Sequence, residues 1–250
     1  MLRAMTRAVR PASLLCRSLS TQPTLTLEKA LTSSHMIKAA IETPQMMQFL
    51  EAAKASTDVA EKWQRVNMVL VQSTLQVAST MGFSADAQGF EAYTKAFAEL
   101  LRTGEEEMRN SLQATVEQKW VSLLHHGYGC APAPPLTLKQ ARNLAIELVD
   151  AFQDPELLKQ VDESRTGLAS RLSQEEKQRM VGNILVQEQM KVLVGHGFQG
   201  AEGFAQAQVC LMAHASDAVV TAPVAAAMSN LYARGGIDLV AALRQATGGQ

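Results

Sequence analysis

Apolar residues recur every three to four positions along most of this chain, which is the spacing of one face of an α-helix. The pattern is clearest around the middle of the first half, where Val66, Val69, Leu70, Leu75 and Val77 form one stripe. Short segments rich in Gly, Pro, Ser, Thr and Asp separate these stretches and supply residues that start and stop helices. The pattern predicts an all-α fold with no sheet.

The pattern in the first half of the chain predicts five helices. They are Leu25–Glu42, a short helix opened by Thr43-Pro44, a long helix opened by Asp58 and ended by Gly82, a helix that Ser84 caps, and Glu105–His125. Thr43 suits an N-cap and Pro44 suits the first helical position, where its missing N–H costs nothing. Asp58 and Glu61 have the spacing of a capping box.

Residues 127–137 read GYGCAPAPPLT, and their two glycines and three prolines predict a linker rather than a helix. A second series of helices follows. Its predicted signals are Thr137 as a cap, Asp154-Pro155 as a restart, Ser173 with Glu176 as a capping box, Pro223 as another restart, Gly235-Gly236 as a stop, and Asp238 at the start of a short terminal helix. This order resembles that of the first half.

The two long predicted helices share their sequence at a separation of 115 residues. Nine of the 23 positions from Glu61 to Phe83 are identical in 176–198. The identical residues are Glu61, Lys62, Val66, Leu70, Val71, Gln72, Val77, Gly82 and Phe83. Most are core and cap residues, so they describe how a unit folds and carry no chemistry. The chain is therefore predicted to hold two tandem copies of a helical unit of about 100 residues, whose long helices form a shared core about a pseudo-twofold axis.

The first 22 residues differ from the rest of the chain. They carry Arg3, Arg7, Arg10 and Arg17, several Ser and Thr, and no acidic residue. The first three arginines share one helical face, and this basic, acid-poor composition is typical of an organellar transit peptide. We predict a mitochondrial targeting segment at 1–22, with a plastid address as the alternative. The predicted domains are then 23–126, the linker 127–137, and 138–250.

Composition limits the classes of partner. The whole chain carries a formal net charge of −1, and loss of the four arginines of 1–22 leaves 19 basic against 24 acidic residues, a charge of about −5. A mildly acidic protein does not favour nucleic acid as a partner. No uninterrupted apolar stretch is long enough to cross a bilayer, so no transmembrane helix is predicted.

The candidate chemistry is sparse. The usual nucleotide, hydrolase, metalloprotease and EF-hand motifs do not occur. The best metal candidate is Cys210 with His214, an i, i+4 pair on one predicted helix, which His196 could join. No second Cys/His pair with suitable spacing exists, so no metal, cofactor or catalytic residue is assigned. His125-His126 and Glu105–Glu107 are expected to interact with helix ends.

These observations favour a non-catalytic, soluble helical protein of the mitochondrion, in the matrix or on the matrix face of the inner membrane, that acts through contacts with other proteins. An accessory subunit or assembly factor of the respiratory chain, ATP synthase or the ribosome fits this description. Two alternatives stay open. One is a helical domain that holds a small apolar ligand or cofactor, with the Ala-rich residues 222–228 near it. The other is an enzyme or metal protein that uses Cys210, His214 and His196.

Overall fold

The computed structural model describes residues 23–214 and 217–237, and every regular element within these ranges is helical. The helices are α1 (Leu27–Ile41), α2 (Pro44–Ala55), α3 (Val59–Thr80), α4 (Ala87–Thr103), α5 (Glu106–Tyr128), α6 (Leu138–Ala151), α7 (Pro155–Glu163), α8 (Gln174–Gly195), α9 (Gly200–Met212) and α10 (Ala222–Arg234), with a 3₁₀ helix at Gly167–Arg171. The predicted all-α class is therefore confirmed. The predicted targeting segment 1–22 and the predicted terminal helix from Asp238 lie outside the described residues.

No helix within the described ranges has both the length and the apolar content needed to cross a bilayer.

The helix caps confirm most of the predicted helix starts. They correct one capping box, at α3, and one N-cap residue, at α4. The capping box of Ser173 and Glu176 is present at α8. At α3, Asp58 accepts a hydrogen bond from the Glu61 amide, but the Glu61 carboxylate binds Arg65 and Ser56 instead of returning to the cap, so the predicted box is wrong. At α4 the N-cap is Asp86, and the predicted cap, Ser84, donates its hydroxyl to the Asp86 carboxylate.

The ten helices form two groups of five that pack in a similar order. α1 packs on α3 and α5 in the first group, and α6 packs on α8 and α10 in the second. The long helices α3 and α8 each have 22 residues and begin 115 positions apart. Each is followed by a glycine with positive φ, Gly82 at 94° and Gly197 at 86°. The correspondence is consistent with the predicted duplication, which stays a prediction.

The contact between the two groups does not follow a twofold axis. α3 and α8 pack against each other as predicted, but the most extensive contact between the groups is made by α9 on α5. α4, the counterpart of α9, makes no comparably extensive contact with the second group. The outer face of α4 carries exposed charges at Glu91, Lys95 and Glu99, whereas Ala205 of α9 is fully buried in the core of the first group. α4 and α9 therefore have different surroundings, as expected if these helices diverged, and the pseudo-twofold core of α3 and α8 stays a prediction.

The predicted linker begins two residues too early. α5 continues through Gly127 and Tyr128 and ends at Gly129, which has a left-handed φ of 76°. A Cβ atom at Gly127 would lie 2.7 Å from Cγ2 of Val66 on α3, closer than two carbon atoms can approach without movement. Gly127 therefore does not break the helix, because it allows α5 to approach α3 there.

We predict that Gly127→Ala lowers the free energy of unfolding by about 1–3 kcal/mol, because the new methyl group overpacks the contact with Val66. Gly195→Ala is the matched control, since nothing lies within 4 Å of a Cβ atom there. It should leave the stability unchanged or raise it by up to about 1 kcal/mol through helix propensity. Urea titration of both variants measures the difference, and equal stability of the two would contradict the close approach.

Candidate functional site

Three side chains on α9 and just after its end hold the Pro-rich linker, and two of them belong to the predicted Cys/His set. Gln206 and Cys210 are four residues apart on one face of α9, and His214 follows four residues later, two residues beyond the end of the helix. Gln206 Nε2 donates to the Ala131 carbonyl at 2.6 Å, Cys210 Sγ to that of Pro134 at 3.7 Å, and His214 Nε2 to that of Leu136 at 2.7 Å. The three side chains bind three carbonyl groups, spread over six residues, of a segment whose prolines have no N–H to offer.

These contacts determine the chemical state of Cys210 and His214. A carbonyl oxygen only accepts, so His214 carries its proton on Nε2 and the Cys210 thiol keeps its hydrogen. Burial raises the pKa of the Cys210 thiol, which also favours the protonated form. A metal ligand or nucleophile needs the thiolate. The i, i+4 spacing that suggested a metal site therefore serves to hold the linker.

His196 lies on a different element and binds a different partner. It follows the last residue of α8, and its Nε2 lies 2.9 Å from Oε2 of Glu147 on α6. The predicted set is thus divided between the linker and α6. Among the described residues, no three His, Cys, Asp or Glu side chains lie close enough together to hold a metal ion. The rings of His125 and His126 contact each other in the last turn of α5, at 4.8 Å between centroids.

A cleft of about 230 Å³ lies between the two groups of helices, with α3 on one side and α8 on the other. Its apolar lining includes Trp63, Phe204, Met228 and Tyr232. Met228 comes from the Ala-rich stretch that the sequence associated with a ligand. α9 contributes Phe204 and Gln208 to the remaining walls, and α10 contributes Met228 and Tyr232.

Trp63 connects this cleft to both cores. Its indole ring stacks on that of Trp120 at 5.7 Å between centroids and meets the ring of Phe204 edge-on at 5.6 Å. Trp120 belongs to the core of the first group and Phe204 to that of α6, α8 and α9. The position of the Trp63 ring in the cleft is therefore set by neighbours on two sides, and this leaves it little freedom to rotate.

The polar lining of the cleft consists mainly of uncharged amides. They are Gln64, Asn67, Gln178, Gln189 and Gln208. Gln189 is only 2% exposed, and its Oε1 accepts from Nε2 of Gln208 at 2.9 Å. In the sequence, Gln189 stands four residues from both Leu185 and Leu193, so it interrupts an apolar stripe. That interruption was the available signal for this site in the sequence.

A buried lysine was also missed. Lys119 of α5 is 9% exposed, and its ammonium group lies 5.2 Å from the centre of the Phe97 ring. Burial lowers the pKa of Lys119 from 10.5 to about 8. The contact with the π face of Phe97 offsets part of the desolvation cost. Lysine within a segment such as EQKWVSLL reads as a surface residue, because only the packing of α4 on α5 covers it.

No protein-family model, curated protein or solved structure matches this chain.

We predict that Lys119→Met raises the free energy of unfolding by about 1–2 kcal/mol at pH 7, because a buried charge is removed. The folded state of the wild type binds fewer protons than the unfolded state between pH 8 and 10.5, so its stability rises with pH across that window. The variant should lose this rise. Lys95 is exposed and serves as the control, since Lys95→Met should keep the rise of stability with pH. A rise that persists in Lys119→Met would contradict its attribution to the buried Lys119.

For the linker contacts we predict that Gln206→Ala lowers the free energy of unfolding by about 0.5 kcal/mol, because its hydrogen bond is exposed and water replaces it, and that His214→Ala lowers it by about 1 kcal/mol, because its hydrogen bond is part-buried. His35→Ala, at an exposed histidine of α1, should change it by less than about 0.5 kcal/mol. A chelator should leave the melting temperature of the wild type unchanged. Zinc that stabilises the wild type but not His214→Ala would overturn the structural role.

Proposed function

We propose that this chain is a non-catalytic helical protein of the mitochondrion that acts by binding another protein through an apolar surface on α2 and α3. The observation that carries the proposal is the exposure of Phe49 and Met68 side by side. Phe49 is 50% exposed and Met68 41%, and both line one shallow groove between the two helices. An exposed phenylalanine beside an exposed methionine costs solubility, and a surface of this kind is common where a partner covers it.

The surrounding residues complete this surface, which we call the α2–α3 surface. By helical spacing, Gln45, Phe49 and Ala52 share one face of α2, and Arg65, Met68 and Gln72 share one face of α3. Arg65 is the only charged member, and its guanidinium is held by Glu61 at 2.7 Å. A face with a Phe/Met centre, an amide rim and few charges has the composition of the centre of a protein interface.

The occupant that fits is one amphipathic helix of a different protein. Two packed helices leave a groove along their line of contact, and a third helix fills such a groove with residues spaced by three and four. The amide rim favours a partner that offers uncharged polar groups beside its apolar residues. Methionine supports this mode of binding because its flexible side chain adapts to the incoming shape.

The site of action is proposed from the composition of residues 1–22. Four arginines without any acidic residue, three of them on one helical face, support import into the mitochondrion. An accessory subunit or assembly factor of a large complex fits both the import signal and a surface made for one partner helix.

The test compares three forms of the full-length chain with a C-terminal tag: the wild type, Phe49→Glu with Met68→Glu, and Ile146→Glu. Ile146 is also 50% exposed but lies on α6, away from the α2–α3 surface. Isolated mitochondria are solubilised in mild detergent and separated on a native gel. We expect the wild type and Ile146→Glu to migrate in a complex far larger than one chain, and the double variant to migrate at the mass of a single chain.

Three outcomes would count against the proposal. Absence of the wild-type protein from the mitochondrial fraction would contradict the proposed localisation. Migration of the wild type at the mass of one chain would contradict the proposed partner. Migration at the mass of two chains would indicate self-association instead. If the double variant stays in the large complex, the α2–α3 surface does not make the contact. Circular dichroism of the purified variants checks that all three forms are equally folded.

A further inference from the structure

We infer that the cleft between α3 and α8 is a binding site for a small, neutral, flat heteroaromatic molecule with a hydrogen-bond donor and an acceptor on its edge. The cleft lies between the two groups of helices and does not include the α2–α3 surface. The inference is therefore independent of the proposed protein contact.

The size and charge of the cleft restrict its ligand. A volume of about 230 Å³ is below the usual range for drug-sized ligands and suits one to three fused rings. Its charged lining residues are Glu61 and Arg179. Glu61 is paired with Arg65 at 2.7 Å, and Arg179 lies 3.6 Å from Glu175. The cleft thus offers no unpaired charge at its rim for an ionic ligand.

Aromatic walls favour a flat molecule. The ring of Trp63 is half-buried, is held by Trp120 and Phe204, and lines the cleft together with Tyr232 from α10. Indole and phenol rings attract other π systems in stacked or edge-on arrangements. A flat ring therefore gains more from these walls than a branched aliphatic molecule of the same volume.

The amide pair supplies a donor and an acceptor side by side. Within the described residues, the amide nitrogen of Gln189 and the Tyr232 hydroxyl have no hydrogen-bond partner, and neither atom is fully enclosed by protein. Gln208 uses its nitrogen for Gln189, so its oxygen is left to accept. Reversing both amide groups would again leave one donor and one acceptor. These groups are open to the cleft, and the donor and acceptor on the edge of a heteroaromatic ring match them.

Gly182 has no side chain, so it leaves the Tyr232 hydroxyl accessible from the cleft. It lies in the middle of α8, where glycine is unfavourable for the helix. A Cβ atom at this position would stand 3.4 Å from the Tyr232 oxygen, an ordinary contact, so a larger residue is sterically acceptable there. Its side chain would grow into the cleft and cover the hydroxyl. This position therefore gives a variant that blocks the cleft with little strain.

The experiment uses the intrinsic fluorescence of the full chain, which reports on the site because the two tryptophans are Trp63 and Trp120. The probes are nicotinamide, adenine and lumichrome, which have one, two and three rings with donor and acceptor groups on the edge. Naphthalene serves as the flat ring without such groups, and adenosine monophosphate as the charged analogue of adenine. We expect a saturable change with at least one of the three probes, and binding about tenfold weaker for naphthalene and for the phosphate, since each lacks a hydrogen bond or adds an unpaired charge.

Three variants test whether the fluorescence change comes from binding in the cleft. Gly182→Leu should abolish it, and Gln189→Leu should weaken it about tenfold, because one hydrogen bond is lost. Gln187→Leu is the matched control on the same helix, since Gln187 is exposed and does not line the cleft, and it should bind like the wild type. No saturable change with any of the three probes would overturn the inference. So would naphthalene binding as tightly as the best probe, or unchanged binding in a folded Gly182→Leu variant.

Discussion

The burial of α9 between two cores is the contact on which the rest of the structure depends. Its residues 201, 205, 209 and 212 face the core of the first group, and Phe204, Ala207 and Leu211 lie in the core of the second. A helix that is apolar on two sides has to be covered on both. Since α9 can be covered in this way only if the two groups meet, its sequence joins them into one packed body.

A third stripe of α9 explains the residues that looked most like a chemical site. Gln206 and Cys210 of α9, with His214 just beyond its end, face the linker, so this helix both joins the two groups and holds the segment that connects them. The same helix contributes Phe204 and Gln208 to the cleft. Loosening α9 would therefore disturb the linker, the contact between the groups and the cleft together.

The two groups of helices use their shared sequence in different ways. Lys62 of α3 is buried over the ring of Tyr128, at 5.5 Å from its centre, whereas its counterpart Lys177 donates to the Ser170 carbonyl at the surface. The α2–α3 surface belongs to the first group alone, and the cleft requires both groups. This division keeps the proposed protein contact and the proposed ligand site on separate parts of the molecule.

The sequence by itself determined the helical class, most helix ends and the correspondence between α3 and α8, because helical periodicity and caps are local. Its errors at Ser84, Glu61 and Gly127 arose where a neighbouring side chain or helix competed for the same group. The cleft, the buried Lys119 and the true partners of Cys210, His214 and His196 were decided only by tertiary structure. Each depends on which helices meet and how closely they pack, and a residue's spacing along its own helix does not contain that information.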